Sequence, residues 1–321
     1  MRIVIATPVL APQFEALARG YGVETATFTQ ASGVDAELGD ADALWIWPSF
    51  YDAEVAAGLR RHAARLRWLQ LPTMGYDTVE EHGAPCEVVV TNAGDAYAPT
   101  VAEHALALLL ALVRRLPGAI ARAAHGAWDQ SDGRNIGTLH GATVAVVGFG
   151  NIGREVAVRL RGFGARIIAV SRSGRPDPLA DESVPSDRLL EVLARSDAVV
   201  LAVPLNAATR HLIDARALAA MPAHAILVNV ARGPVVDHAA LRDALAAARI
   251  GGAGIDVTEP EPLPPGDSLW TLPNALVTPH VAGYGGDVAP RRILAVVERN
   301  LKRFLAGEPL EARVEIDLQN R

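Results

Sequence analysis

Val144-Ala145-Val146-Val147-Gly148-Phe149-Gly150-Asn151-Ile152-Gly153 is the stretch on which the fold turns. Four apolar, strand-favouring residues run straight into a Gly-x-Gly-x-x-Gly turn, and a helical pattern follows to about Gly162. In that setting each glycine has its own task. Gly148 allows the tight turn, Gly150 lets the backbone approach a pyrophosphate, and Gly153 lets helix and strand pack closely. The helix N-terminus, carrying Asn151 and Ile152, then faces the phosphates with its partial positive charge. A strand, this turn and a helix in succession predict a dinucleotide site rather than a merely tight turn.

Working outward, apolar runs at 143–147, 166–170, 198–201, 225–229, 252–256 and 275–277 read as six strands, the number of a complete dinucleotide-binding sheet. Upstream, strands are expected at 2–6, 23–27, 43–47, 68–71 and 88–91, with helices at 12–20 and 52–62. That is βαβ order, hence a second open parallel sheet. Between the blocks, Thr100-Val101-Ala102-Glu103 reads as a capping box opening a buried helix that ends at Arg114-Arg115. A polar, glycine-containing stretch covers 125–141, and an amphipathic helix covers 290–305. The expected fold is α/β, with two Rossmann-like, doubly wound parallel-sheet domains.

Composition removes other chemistries. The chain has 321 residues and a net charge of 30 − 36 = −6. Its 30 basic residues contain one lysine, Lys302, which leaves 29 arginines. No Gly-x-x-x-x-Gly-Lys-Ser/Thr is present, so a phosphate-loop NTPase is excluded. The single cysteine, Cys86, makes neither an internal disulfide nor a thiolate zinc cage. The mild acidity argues against a nucleic-acid partner. The longest apolar run, 105–113, falls far short of the ~20 residues that span a bilayer, and Met1-Arg2-Ile3-Val4-Ile5-Ala6 is too short for a signal core. A cytoplasmic protein with no membrane partner is expected.

At the end of the strand after the glycines stand Ser171, Arg172 and Ser173. An NAD site wants an acid here for the ribose hydroxyls. With none present, and with a guanidinium placed for a 2′-phosphate, NADP(H) is the expected preference and NAD(H) the alternative.

Three later segments put polar residues just after apolar strands, where open parallel sheets bind ligands. They are Val230-Ala231-Arg232-Gly233, Asp256-Val257-Thr258-Glu259-Pro260-Glu261 and Thr278-Pro279-His280-Val281-Ala282-Gly283. Together with Gly75-Tyr76-Asp77, Thr91-Asn92-Ala93-Gly94, Val101-Ala102-Glu103-His104, and Val203-Pro204-Leu205 with Thr209, they make the chain resemble the D-isomer-specific 2-hydroxyacid dehydrogenase family over nearly its whole length. The resemblance implies two domains with a cleft between them. The substrate domain, flavodoxin-like, would be 1–98 with 285–321, and the dinucleotide-binding Rossmann domain 99–284. It implies Arg232 as the grip on a substrate carboxylate, His280 as acid/base, and Glu261, five residues after Asp256, as the carboxylate holding the imidazole. Asp256, Val203, Pro204, Thr209, Val230, Ala231 and Gly283 are assigned to the cofactor, and Met74 and Gly75 to the substrate. It also implies a homodimer, with the helix at Thr100 as the dimer element.

The other eight histidines (62, 82, 104, 125, 140, 211, 224 and 238) lack metal-ligand spacing and read as surface or structural, so no metal is expected. The resemblance further implies a 2-oxo acid of the glyoxylate or hydroxypyruvate type, reduced to a D-2-hydroxy acid. Met74 stands where phosphite-oxidising relatives have a lysine. No N-terminal extension of the formate dehydrogenase kind and no regulatory domain are expected. Tyr284-Gly285-Gly286 replaces a Thr or Ser common after the histidine. Trp45-Ile46-Trp47-Pro48-Ser49-Phe50-Tyr51 holds four of the 16 aromatics, and reads either as a wall for a bulky side chain or as packing. Two alternatives stay open: an NAD-linked D-2-hydroxyacid dehydrogenase, and a dinucleotide-sensing, corepressor-like binding protein.

Overall fold

A computed structural model describes residues 1–62, 64–131 and 133–316, without the side chains of His62 and Arg134. The reading of His62, and the part of the expected substrate domain beyond 316, lie outside the described residues. The chain divides into two compact units, Met1–Tyr97 with Gly285–Arg321, and Ala98–Tyr284.

The first unit runs β1 (Arg2–Ala6), α1 (Ala11–Gly20), β2 (Glu24–Phe28), β3 (Ala43–Ile46), α2 (Ala53–His62), β4 (Trp68–Gln70), α3 (Asp77–His82) and β5 (Val89–Thr91). Its strands pair in parallel in the order β2-β1-β3-β4-β5. A parallel sheet is covered on both faces, so its strands are apolar throughout rather than alternating. Successive residues of β1 enter opposite cores: Val4 and Ala6 pack with Leu44, Leu59 and Leu69, while Ile3 and Ile5 pack with Phe14, Trp45 and Trp68.

The aromatic segment belongs to these cores. Trp45 and Tyr51 are buried, and Trp45 meets Phe14 and Trp68 edge to face at 5.9 and 5.5 Å. Tyr51 donates to the Gly83 carbonyl at 2.6 Å, and Phe50 packs on the same core. The packing alternative is the one observed for these three residues.

The second unit begins with α4 (Ala98–Val113) and α5 (Leu116–Ala124), followed by β6 (Thr143–Val147), α6 (Asn151–Gly162), β7 (Arg166–Ser171), β8 (Glu182–Pro185), α7 (Leu189–Leu193) and β9 (Ala198–Leu201). It continues with α8 (Ala215–Ala220), β10 (Ile226–Asn229), α9 (His238–Ala246), β11 (Gly252–Ile255) and β12 (Ala275–Val277). The sheet is parallel, in the order β12-β11-β10-β9-β6-β7-β8, and reverses direction of winding between β6 and β9. That reversal is the switch point at which such sheets bind nucleotides.

Two expectations are corrected. The sheet has seven strands, not six, because Glu182-Ser183-Val184-Pro185 forms an edge strand against β7. An edge strand is paired on one side only and tolerates polar residues and proline, so no apolar run announces it. And α4 starts at Ala98, so Thr100 lies inside the first turn rather than capping it; its hydroxyl donates to the Gly283 carbonyl at 3.3 Å. The helix packs on β10, β11 and α6. After it, Ile120 and Trp128 are left 67% and 93% exposed. No single helix is long and apolar enough to cross a membrane.

The last helix, α10 (Val288–Ala306), returns to the first unit. It buries Ile293, Val296, Val297 and Leu301 against Ile3, Ile5, Trp45 and Trp68.

Candidate active site

Every candidate of the second unit sits at the carboxyl end of a strand of one sheet. Gly148 follows β6, Ser171 ends β7, and Val203 follows β9. Arg232, Glu261 and His280 follow β10, β11 and β12, three strands in adjacent register.

The glycine turn has the geometry its spacing implies. Gly148 has φ +95°, and a Cβ there would lie 2.5 Å from the Ala202 carbonyl carbon and oxygen. A Cβ at Gly153 would lie 2.1 Å from the Gly148 carbonyl oxygen, so only glycine fits both places. At Gly150 an added Cβ meets nothing within 4 Å, which leaves open space beside the amino end of α6. A pyrophosphate fits that cradle: open backbone, helix N-terminus, no side chain in the way. Ser171 turns its hydroxyl inward to accept from Gly174 N at 3.2 Å. Arg172 and Ser173 are exposed, and among the described residues Arg172 has no ion-pair partner. Asp177, in the loop that follows, is paired with Arg154 of α6. Beyond β9, Thr209 Oγ1 donates to the Pro204 carbonyl at 2.7 Å and closes the loop that starts at Val203.

Arg232 stands in extended backbone just past β10, with the preceding turn tied by Asn229, which accepts from Ala231 N at 3.0 Å and donates to the Arg232 carbonyl at 3.0 Å. Its guanidinium donates to the Ala231 carbonyl at 2.7 Å. Gly233 presses against the next loop: a Cβ there would sit 2.0 Å from the Thr258 carbonyl oxygen. The Arg232 turn and the loop bearing Glu261 are thus packed backbone to backbone.

The two glutamates of that loop separate cleanly. Glu261 Oε1 is 2.5 Å from His280 Nδ1. Glu259 faces away, paired with Arg210 at 3.0 Å and His211 at 3.3 Å. Burial opposes the Glu259 charge, but the bonds from Arg210 and His211 outweigh it and hold the carboxyl below its ordinary range. The buried His238 accepts from Glu259 N at 3.4 Å on the inner side of this loop.

His280 itself has φ +54°, in the left-handed region that costs a residue with a side chain about 1–3 kcal/mol. What holds it there is Asp256, 2% exposed. The Asp256 carbonyl accepts from His280 N at 2.8 Å. Its carboxylate accepts from Val281 N and Ala282 N, each at 3.0 Å, and from Thr278 Oγ1 at 2.6 Å. His104 Nε2, from α4, lies 3.2 Å from the same carboxylate and 2.9 Å from Thr278 Oγ1. Burial penalises the Asp256 charge, yet these donors prevail and keep its carboxyl below the ordinary value. The sequence reading named Asp256 for the cofactor and set His104 aside as surface or structural. His104 touches the acid that shapes the His280 loop, a structural contact between residues 152 positions apart that no local pattern signals.

In the first unit, Met74 and Gly75 lie in a half-buried loop after β4. Thr73 Oγ1 donates to the Gly75 carbonyl at 3.0 Å, and Asn92 Nδ2 donates to the Met74 carbonyl at 3.1 Å. Among the described residues no group of three or more His, Cys, Asp or Glu side chains is disposed to hold a metal.

A parallel sheet with an open phosphate cradle at its switch point, and an imidazole–carboxylate pair beyond the ends of β11 and β12 in the same sheet, has the parts of a nucleotide-dependent oxidoreductase. Comparison with known proteins narrows this. Residues 106–282 match the family model for the D-isomer specific 2-hydroxyacid dehydrogenase, NAD binding domain. A glyoxylate reductase of Thermococcus kodakarensis is 40% identical over 258 residues, which are 77% of this chain and 75% of that protein. A D-isomer specific 2-hydroxyacid dehydrogenase from Xanthobacter autotrophicus Py2, solved in complex with NADPH and MES, superposes with a TM-score of 0.84 at 28% identity, covering 98% of each chain. An NAD-dependent formate dehydrogenase from Staphylococcus aureus, solved with NAD, superposes with a TM-score of 0.76 at 26% identity, over 98% of this chain and 99% of that one. The chain belongs to the D-isomer-specific 2-hydroxyacid dehydrogenase family and is an oxidoreductase that uses a nicotinamide dinucleotide.

Proposed function

We propose that the protein is an NADP(H)-preferring reductase of small 2-oxo acids, of the glyoxylate or hydroxypyruvate type, yielding the D-2-hydroxy acid. The observation that carries this reading is the 2.5 Å contact between His280 Nδ1 and Glu261 Oε1 at the carboxyl edge of the dinucleotide-binding sheet. With Nδ1–H given to the carboxylate, Nε2 is the nitrogen left to face a substrate oxygen. A dihydronicotinamide held by the glycine cradle and the loops after β9 and β10 would supply the hydride for the carbonyl carbon. His280 Nε2–H gives its proton to the carbonyl oxygen, so that alcohol and neutral imidazole are formed together; in oxidation the same nitrogen takes that proton back. Arg232 grips the substrate carboxylate through its planar fork. Met74 and Gly75 are proposed as further substrate contacts, and Val203, Pro204, Thr209, Val230, Ala231, Asp256 and Gly283 as the lining of the cofactor site.

The cofactor preference rests on Arg172. It is exposed at the end of β7 without an ion pair among the described residues, and the loop acid, Asp177, is occupied by Arg154. A 2′-phosphate would meet a guanidinium there and no unneutralised carboxylate. The burial of Trp45 and Tyr51 takes those aromatics out of the candidates for a bulky side-chain pocket and favours small substrates.

The test is a steady-state panel of glyoxylate, hydroxypyruvate, pyruvate and phenylpyruvate, each with NADPH and NADH. Higher kcat/KM with NADPH, and with glyoxylate and hydroxypyruvate over pyruvate and phenylpyruvate, is the expected result. A clear NADH preference returns the NAD-linked reading. No turnover with any acid, alongside tight NADPH binding, returns the corepressor-like one.

A further inference from the structure

Helix α4 touches the His280 segment from both sides. Thr100 and His104, one helical turn apart and therefore on one face, reach respectively the Gly283 carbonyl and the Thr278–Asp256 pair. These contacts bracket His280, whose left-handed backbone is the least favourable conformation in the segment.

The hydrogen count fixes what His104 does there. Thr278 has one hydroxyl proton, and at 2.6 Å it goes to Asp256 Oδ1. The Thr278 oxygen can then only accept, so His104 Nε2 must carry a hydrogen and share it between Thr278 Oγ1 at 2.9 Å and Asp256 Oδ1 at 3.2 Å. The opposite tautomer would set a lone pair against a carboxylate and a hydroxyl oxygen. The same carboxylate takes Val281 N and Ala282 N, the two amides after His280.

We propose that His104 is a positioning residue for the acid/base histidine. Its Nε2–H orients Thr278 and the Asp256 carboxylate, these pin the 278–282 backbone, and the His280 ring is thereby held on Glu261. The proposal rests on the reading of His280 given above. Without the Nε2–H, Asp256 and Thr278 keep each other but lose the brace from α4, and the ring drifts from its working place. A displacement of about 1 Å at such a group costs up to about a hundredfold in rate.

The experiment compares His104→Ala, His104→Asn and His104→Gln in the full chain, with His280→Ala as reference. Glutamine extends its amide nitrogen about as far as the imidazole Nε2, and asparagine does not. Expected are a kcat ten- to hundredfold lower for Ala and Asn, near-normal kcat for Gln, and dissociation constants for NADPH, read by fluorescence titration, that all stay close to wild type. Should the alanine chain fail to fold, the Gln–Asn pair decides alone. Equal kcat for Gln and Asn, or a loss of NADPH binding that tracks the loss of kcat, overturns the proposal. If His280→Ala also leaves turnover intact, the functional reading has failed instead. Long-range 1H–15N spectra of the imidazoles serve without turnover: the His280 Nδ1–H signature should persist in wild type and Gln and be lost in Asn. Its persistence in Asn overturns the brace.

Discussion

In each unit a buried polar network stitches a helix to a sheet, and the two are built from different chemistry. In the first unit the members are neutral. Trp68 Nε1 donates to Thr91 Oγ1 at 2.8 Å, Thr91 donates to Gln70 Oε1 at 2.9 Å, and Asn300 of α10 donates to the same oxygen at 3.2 Å while accepting from Glu311 N at 2.8 Å. In the second unit the centre is a charge: Asp256 gathers Thr278, His104 and two amides. A neutral network whose bonds are all made fixes packing and is indifferent to pH. A buried carboxylate costs more to hold, and this one is spent on keeping a reactive side chain in a backbone conformation that the chain would otherwise leave. The contrast separates what maintains the molecule from what arms it.

The strongest way to break that contrast is at its reactive end. His280→Ala should lower kcat by about 10²–10⁴ if the residue moves the proton, with an unchanged melting curve; near-normal turnover would remove His280 from the chemistry. A middle-sized effect is expected from the neutral network. Asn300→Ala strips partners from Glu311 N and from the Glu311 carbonyl, which Asn300 Nδ2 meets at 3.2 Å. That should cost about 1–3 kcal/mol in urea unfolding and leave turnover per folded molecule unchanged; a matching loss of kcat would erase the distinction. The smallest effect is the acid dependence. The folded Asp256 carboxyl lies below its ordinary 3.8, so its stabilisation is present above that pH and is lost as pH falls through the folded value. Stability measured down this range should drop more steeply for wild type than for Asp256→Asn. Parallel curves would show that the charge contributes nothing.

Much of this was legible in the chain because burial writes itself into sequence. Strands covered on both faces are unbroken apolar runs, as at 144–147 and 226–228, and the first polar residue after each run points to the ligand edge. Asn229, Asp256 and Thr278 are those residues in the last three strands; Arg232, Glu261 and His280 follow within a few positions, and the family resemblance singles them out. What stayed hidden has two physical causes. Edge elements need no apolar run, so Glu182–Pro185 left no trace. Side-chain pairings across long separations leave none either: Thr100 satisfies a capping-box pattern equally well as a tether to Gly283, and His104 is one polar residue on an apolar helix until Asp256 is brought beside it. The aromatic segment shows the converse limit, since Trp45 has the same composition whether it lines a pocket or fills a core.

The order in which the chain leaves the ribosome acquires a meaning from the path it takes. The second unit is one unbroken stretch, whereas the first is assembled from two segments, 1–97 and 285–321, on either side of it. Ile3, Ile5, Trp45 and Trp68 are translated more than 220 residues before the α10 residues that cover them, Ile293 to Leu301. At about 5–20 residues per second, that apolar face waits on the order of ten seconds or more for its cover. Every residue of 98–284 is thus made before α10 can close the apolar face that Ile3, Ile5, Trp45 and Trp68 present.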